Sequence, residues 1–153
     1  VIAPSLLDVN VLIALFDPAH INHDEAHDWF KIARGTAWAT CPITINGVVR
    51  VLSNPAYPTI EATPAEIISR LQDLCSSPHH EFWPDDLSLL ENRNFRSVSI
   101  GGHQKITDVY LLALAVNKSG QMVTFDRSIP LKAVVGAEAR HLKLLGSTRH
   151  PSA

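Results

Sequence analysis

The sequence predicts an α/β fold with a mostly parallel sheet. Short apolar runs bounded by turn signals alternate with helical patterns along the whole chain, as βα units do. Two of those runs, Leu6-Leu7 and Met122–Phe125, pass directly into an aspartate. The 153 residues, 46% hydrophobic and 18% charged, are enough for one domain spanning residues 1–153 with its own core.

In chain order, Ser5-Leu6-Leu7-Asp8 reads as a buried strand ending in an acid, with a helix over Val11–Leu15 soon after. Asp24–Arg34 reads as a helix, because Ala26, Trp29, Phe30 and Ala33 fall at helical spacing and Gly35 is a good stop. Trp38–Cys41 is a strand, and Thr44–Leu52 a helix stopped by Asn54-Pro55. Pro64–Ser76 is the best-marked helix: Thr63 at the N-cap, Pro64 at the first position and Glu66 at the third form a capping box. Ile67, Ile68, Leu71, Leu74 and Cys75 form its apolar face. A strand over His80–Trp83 ends at Pro84, and a short helix is expected over Asp85–Arg93. Asp108–Asn117 is an apolar helix closed by Gly120 at the C′ position. Met122–Phe125 and His141–Leu145 complete the strands, and right-handed crossovers place helices on both faces.

Composition excludes several classes. The charge and hydropathy balance is neither that of a disordered tail nor that of a coiled coil. The longest apolar runs are about eight residues, short of the ~18–20 of a membrane span. The opening VIAPSLLDVN lacks a basic stretch followed by a long apolar one, so it does not read as a secretory signal. Two cysteines, Cys41 and Cys75, form no disulfide framework and suit the cytoplasm. The net charge of −2 hides an asymmetry. Residues 1–92 hold 12 acidic and 4 basic side chains, and residues 93–153 hold 3 acidic and 9 basic. A polyanion-binding face, or a mixing of the halves on folding, accounts for it equally well.

Asp8 and Asp126 carry the functional argument. In open parallel sheets, ligands bind beyond the carboxyl ends of strands, at a switch in strand order. Asp108, at the start of the helix leading into the second of these strands, is a third candidate, although acids are common at helix starts. Three clustered carboxylates repel one another unless a cation neutralises them. A hard divalent ion such as Mg²⁺ does so and supports phosphodiester hydrolysis.

The segments LLDVNVLIAL, TCPITINGVVRVLSNP, FWPDDLSL, ITDVYLLALA and TFDRSI resemble the VapC family of PIN-domain toxins, from residue 6 to about residue 130. The resemblance implies a three-layer PIN-like α/β/α fold with a central, mostly parallel sheet. It implies a Mg²⁺- or Mn²⁺-dependent endoribonuclease acting on structured RNA such as transfer or ribosomal RNA, a VapB-type antitoxin partner and a homodimer. On this resemblance Asp8, Asp108 and Asp126 are catalytic and metal-binding, and Asn10 and Thr107 are the small polar residues flanking the metal. One acid of the pattern is absent. Where the family usually has T-E-N-G, this chain has Thr44-Ile45-Asn46-Gly47, and no acid lies between Asp28 and Glu61. Ile45 can neither ligate a cation nor orient water, so weaker metal binding and reduced or absent nuclease activity are expected.

Arg50, Lys105 and Arg127 are candidate phosphate contacts near these positions. The resemblance also implies an antitoxin helix in a groove near the N-terminal region, with Phe16, Trp29 and Phe30 as candidate walls. His23 and His27, four apart, lack the H-E-x-x-H pattern and read as solvated helix residues. Trp29, Trp38 and Trp83 read as core. Two other functions are carried forward: a catalytically silent module that binds antitoxin or RNA, and a haloacid-dehalogenase-like phosphatase. For the latter, Asp8-Val9-Asn10-Val11 is a faint match, with Asn in place of the second Asp and no later G-D-x-x-x-D segment.

Overall fold

The computed structural model describes residues 2–146. Strands β1 (Ser5–Leu7), β2 (Trp38–Thr40), β3 (His80–Phe82), β4 (Gln121–Thr124) and β5 (Leu142–Leu144) form one sheet in the order β3-β2-β1-β4-β5, and every pairing is parallel. Helices α1 (Val9–Phe16) and α2 (His23–Ala33) link β1 to β2, while α3 (Pro42–Leu52) and α4 (Pro64–Cys75) link β2 to β3. The chain then crosses back over the sheet, and α5 (Ile106–Asn117) leads into β4 on the other side of β1. The strand order therefore reverses between β1 and β4.

Because side chains alternate along a strand, the two faces collect separate cores. Leu6, Ala39 and Met122 pack with the buried face of α5 and with Trp83 and Phe95. Leu7, Trp38 and Val123 pack with α1 to α4 through Leu12, Phe30, Val48, Leu52, Ile67 and Leu71. Phe30 meets Trp38 edge to face, with ring centroids 5.0 Å apart. This arrangement is the three-layer α/β/α architecture that the sequence implies. Among the described residues, no helix is long and apolar enough to cross a membrane.

Several local expectations change. The first helix begins at Val9, because the Asp8 carboxylate accepts the Val9 N–H at 2.7 Å and caps it. Cys41 leaves the strand and caps α3. The capping box of α4 forms as expected, with Thr63 N–H on Glu66 at 2.8 Å and Glu66 N–H on Thr63 at 3.2 Å. Ile68, expected on its apolar face, is exposed. No helix forms over Asp85–Arg93. Ser88 takes the Leu90 N–H on its hydroxyl at 3.1 Å, a local bond that competes with a helix, and Leu87 packs onto the α5-side core. Phe16 and Phe30 are buried, Phe16 beneath the Arg70 guanidinium, so of the three candidate groove walls only Trp29 is partly accessible.

The end of α5 is also corrected. Ser119, not Gly120, takes the left-handed conformation, with φ 54°. Its N–H bonds to Val116 at 3.1 Å and the Gly120 N–H to Ala115 at 2.8 Å, which is a Schellman closure. Gly120 is needed for a different reason: a Cβ there would lie 2.5 Å from the Pro4 carbonyl oxygen and 3.1 Å from the Trp83 ring. Gly120→Ala is expected to destabilise the chain by ~1–3 kcal/mol. Urea denaturation should show a lower midpoint with an unchanged slope, and an unchanged midpoint would contradict the packing argument.

Candidate active site

Asp8 sits where β1 becomes α1, at the switch in strand order. Its backbone N–H still bonds to Val123 of β4 at 2.9 Å, so the residue is locked to the sheet. Its side chain is only 5% exposed. One carboxylate oxygen accepts the Val9 N–H, and the other accepts the Thr124 hydroxyl at 2.7 Å. Each oxygen keeps a further lone pair for a cation. Burial nevertheless raises the Asp8 pKa, with the Asp126 charge adding to it and the two hydrogen bonds opposing it.

Thr124, fully buried at the end of β4, organises the pocket. Besides donating to Asp8, its hydroxyl oxygen accepts the Asn10 amide at 3.1 Å and the Asp126 backbone N–H at 3.0 Å. The Asn10 carbonyl oxygen accepts the Phe125 N–H at 3.3 Å. Asn10 thus ties the first turn of α1 to the loop after β4. Sequence reading missed Thr124; a hydroxyl closing an otherwise apolar strand, two residues before an acid, was the available signal.

Asp108 lies in the first turn of α5, half-buried beside the other two acids. Burial pushes its pKa up to about 7, aided by the Asp8 charge and by a hydrogen bond and charge repulsion from Asp126, with Lys105 opposing. Asp126 moves the other way: the Ser128 hydroxyl and backbone N–H hold it below the ordinary carboxylate range, with help from Asp108 and Lys105. The two acids are thus pushed in opposite directions, Asp108 toward the neutral form and Asp126 toward the ionised one. Among the described residues, no three His, Cys, Asp or Glu side chains stand in a ready-made metal-ligand arrangement. The donor set of Asp8, Asp108 and Asp126 is nonetheless all oxygen, which fits a hard divalent cation.

Ile45 is half-buried in the first turns of α3 and, like Val9, Val49 and Phe125, packs against the apolar core that contains Leu7, Val11 and Val48. Helix α3 reaches this position because Gly47 lets it touch α1: a Cβ on Gly47 would lie 2.6 Å from a Val9 methyl. Val9 directly follows Asp8, so α3 runs beside the acid pocket while offering it no charge at position 45.

The cationic candidates separate. Lys105 is half-buried, hydrogen-bonds to Ser128, and lies close enough to lower the pKa of both Asp108 and Asp126. Thr107 is exposed in the first turn of α5. Arg127 turns away and donates to the Gly146 carbonyl at 2.9 Å. Arg50 lies ~12 Å along α3 from its start, at ~1.5 Å per residue, and lines a surface hollow with Asn54 and Tyr57. The His23 Nδ1 lies 2.7 Å from the Ala14 carbonyl and ties α2 to α1.

The PIN domain family matches residues 5–135 of the chain. Ribonuclease VapC44 of Mycobacterium tuberculosis is 45% identical over 143 residues, covering 92% of this chain and 99% of that protein. Ribonuclease VapC39 of the same organism is 41% identical over 132 residues, covering 86% of this chain and 95% of that protein. Ribonuclease VapC29, again from M. tuberculosis, is 40% identical over 124 residues, covering 81% and 86%. With the domain match over residues 5–135, these identities and its parallel sheet, the chain belongs to the VapC group of the PIN-domain family.

Proposed function

We propose that the chain is the toxin of a toxin–antitoxin pair: a divalent-metal-dependent endoribonuclease for structured RNA, transfer or ribosomal, whose activity is weakened by Ile45. The observation that supports this reading is that the Asp8 and Asp126 charges, beyond the ends of adjacent strands at the switch, add to burial in raising the Asp108 pKa. These three would hold Mg²⁺ or Mn²⁺. When bound, the ion lowers the pKa of water and offsets charge on the phosphoryl oxygens. The chain's own residues do the rest. Thr124 and Asn10 fix Asp8 and the loop bearing Asp126. Asp108, whose pKa is pushed up to about 7, would ionise more readily beside a cation. Lys105, at the rim, offers an ammonium to a phosphate, while Thr107 and Asn10 supply polar contacts near it. Arg127 and Arg50 would contact RNA phosphates further along the surface. A VapB-type antitoxin, a homodimer and action in the cytoplasm complete the proposal.

A silent binding module is the second reading, and Ile45 favours it. Membership of the PIN family removes the support for a phosphatase. The deciding experiment is cleavage of purified transfer and ribosomal RNA with Mg²⁺ or Mn²⁺ by Ile45→Glu, with chelator as control. Chelator-sensitive cleavage supports the nuclease; intact RNA that is still bound by the chain supports the silent module.

A further inference from the structure

Ser128 has no part in the reading so far, yet it joins two of its residues. It follows Asp126 by two positions, and both its backbone N–H, at 2.8 Å, and its hydroxyl, at 2.6 Å, donate to the same Asp126 oxygen, Oδ1. The N–H contact is the ordinary bond of an Asx turn. The hydroxyl contact is additional. On its acceptor side the same hydroxyl takes a hydrogen bond from the Lys105 ammonium, 23 residues away in sequence. An ammonium only donates and an ionised carboxylate only accepts, so the Ser128 hydroxyl accepts from Lys105 and gives its proton to Asp126. The segment cannot drift, because the next residue, Ile129, is buried in the α5-side core.

We propose that Ser128 is a positioning residue of the acid pocket: with Lys105 fixing its hydroxyl, it commits Asp126 Oδ1 to the protein and leaves Oδ2 for a divalent cation. This rests on the reading of the three acids as a cation site. A carboxylate held by one oxygen presents the other in a fixed direction and has less freedom to lose on binding. Removing the hydroxyl leaves Asp126 Oδ1 held by the backbone N–H alone and releases Lys105 from its rim position. Residues that orient metal ligands in this way typically change metal affinity by ~10–100-fold.

The test is a calorimetric titration of Mn²⁺ into the full chain, unaltered and as Ser128→Ala, Ser128→Thr and Asp126→Asn. Ser128 is exposed, so the extra methyl of threonine has room. Ser128→Ala should weaken Mn²⁺ binding by ~10-fold, and Ser128→Thr should restore it to within about threefold. Asp126→Asn should bind more weakly than either. If Ser128→Ala binds as the unaltered chain does while Asp126→Asn is weakened, the Ser128 proposal is wrong and the cation site stands. A threonine variant as weak as alanine also overturns it, since the hydroxyl would then be irrelevant. Unweakened Asp126→Asn overturns the cation site and this proposal together.

Discussion

Ile45→Glu is expected to raise Mg²⁺-dependent RNA cleavage by ~10²–10⁴-fold over the unaltered chain, the usual worth of a positioned catalytic carboxylate. The expectation follows from where position 45 sits. It lies in the first turns of α3, and Gly47 holds that helix against Val9, next to Asp8. A glutamate side chain there is long enough to leave the apolar cluster that now receives isoleucine and to carry a charge toward the acids. Ile45→Gln tests whether charge or mere polarity matters, and it should recover little. The double variant Ile45→Glu with Asp8→Asn should fall back to the level of the unaltered chain. Equal activity in Ile45→Glu and the unaltered chain would sink the idea that this position limits catalysis.

The second large effect is on stability. With no cation bound, Asp108→Asn is expected to stabilise the chain relative to the unaltered protein by ~1–2 kcal/mol at pH 8, after allowing for solvent screening of a half-exposed carboxyl. The sign is fixed by the direction of the shift. The folded Asp108 pKa of about 7 exceeds the unfolded value of 3.8. The folded state therefore holds this proton more tightly, and the associated stability is complete below pH ~4 and lost as pH rises through ~7. Asn carries no such dependence. His80 has the opposite sign in part of this range, because burial lowers its pKa. The difference between the two proteins, measured by denaturant titration from pH 4 to 8, cancels that contribution. A flat difference would show that Asp108 does not face other negative charge. Saturating Mn²⁺ should stabilise the unaltered chain by ~2.7 kcal/mol at one hundred times its dissociation constant, reversing the advantage of Asp108→Asn.

The pocket was legible in the sequence to the extent that burial and chemistry conflict there. An aspartate directly behind Leu6-Leu7 or behind Val123–Phe125 has to meet a donor or a cation, and a parallel sheet brings such strand ends together. Thr124 and Ser128 were not legible, because a hydroxyl is ordinary anywhere and gains meaning only from partners more than twenty residues away. The failed helix over Asp85–Arg93 and the role of Gly120 share one cause. Contacts made by Leu87 with the α5-side core, and by Gly120 with Pro4 and Trp83, are decided by packing between segments, which local propensity does not record. Phe16 and Phe30 were legible as apolar helix residues, but the large ring of Trp38 and the Arg70 guanidinium claim them for the interior.

All of this depends on Asp8, Asp108 and Asp126 sharing one divalent ion. Anomalous scattering from a crystal soaked in Mn²⁺ measures that directly. The account predicts a single strong peak within ligand distance of at least two of the three carboxylates, ~2.0–2.2 Å for a hard ion of this size on oxygen ligands. A peak bound elsewhere, or no peak at millimolar Mn²⁺ in well-ordered crystals, would contradict it.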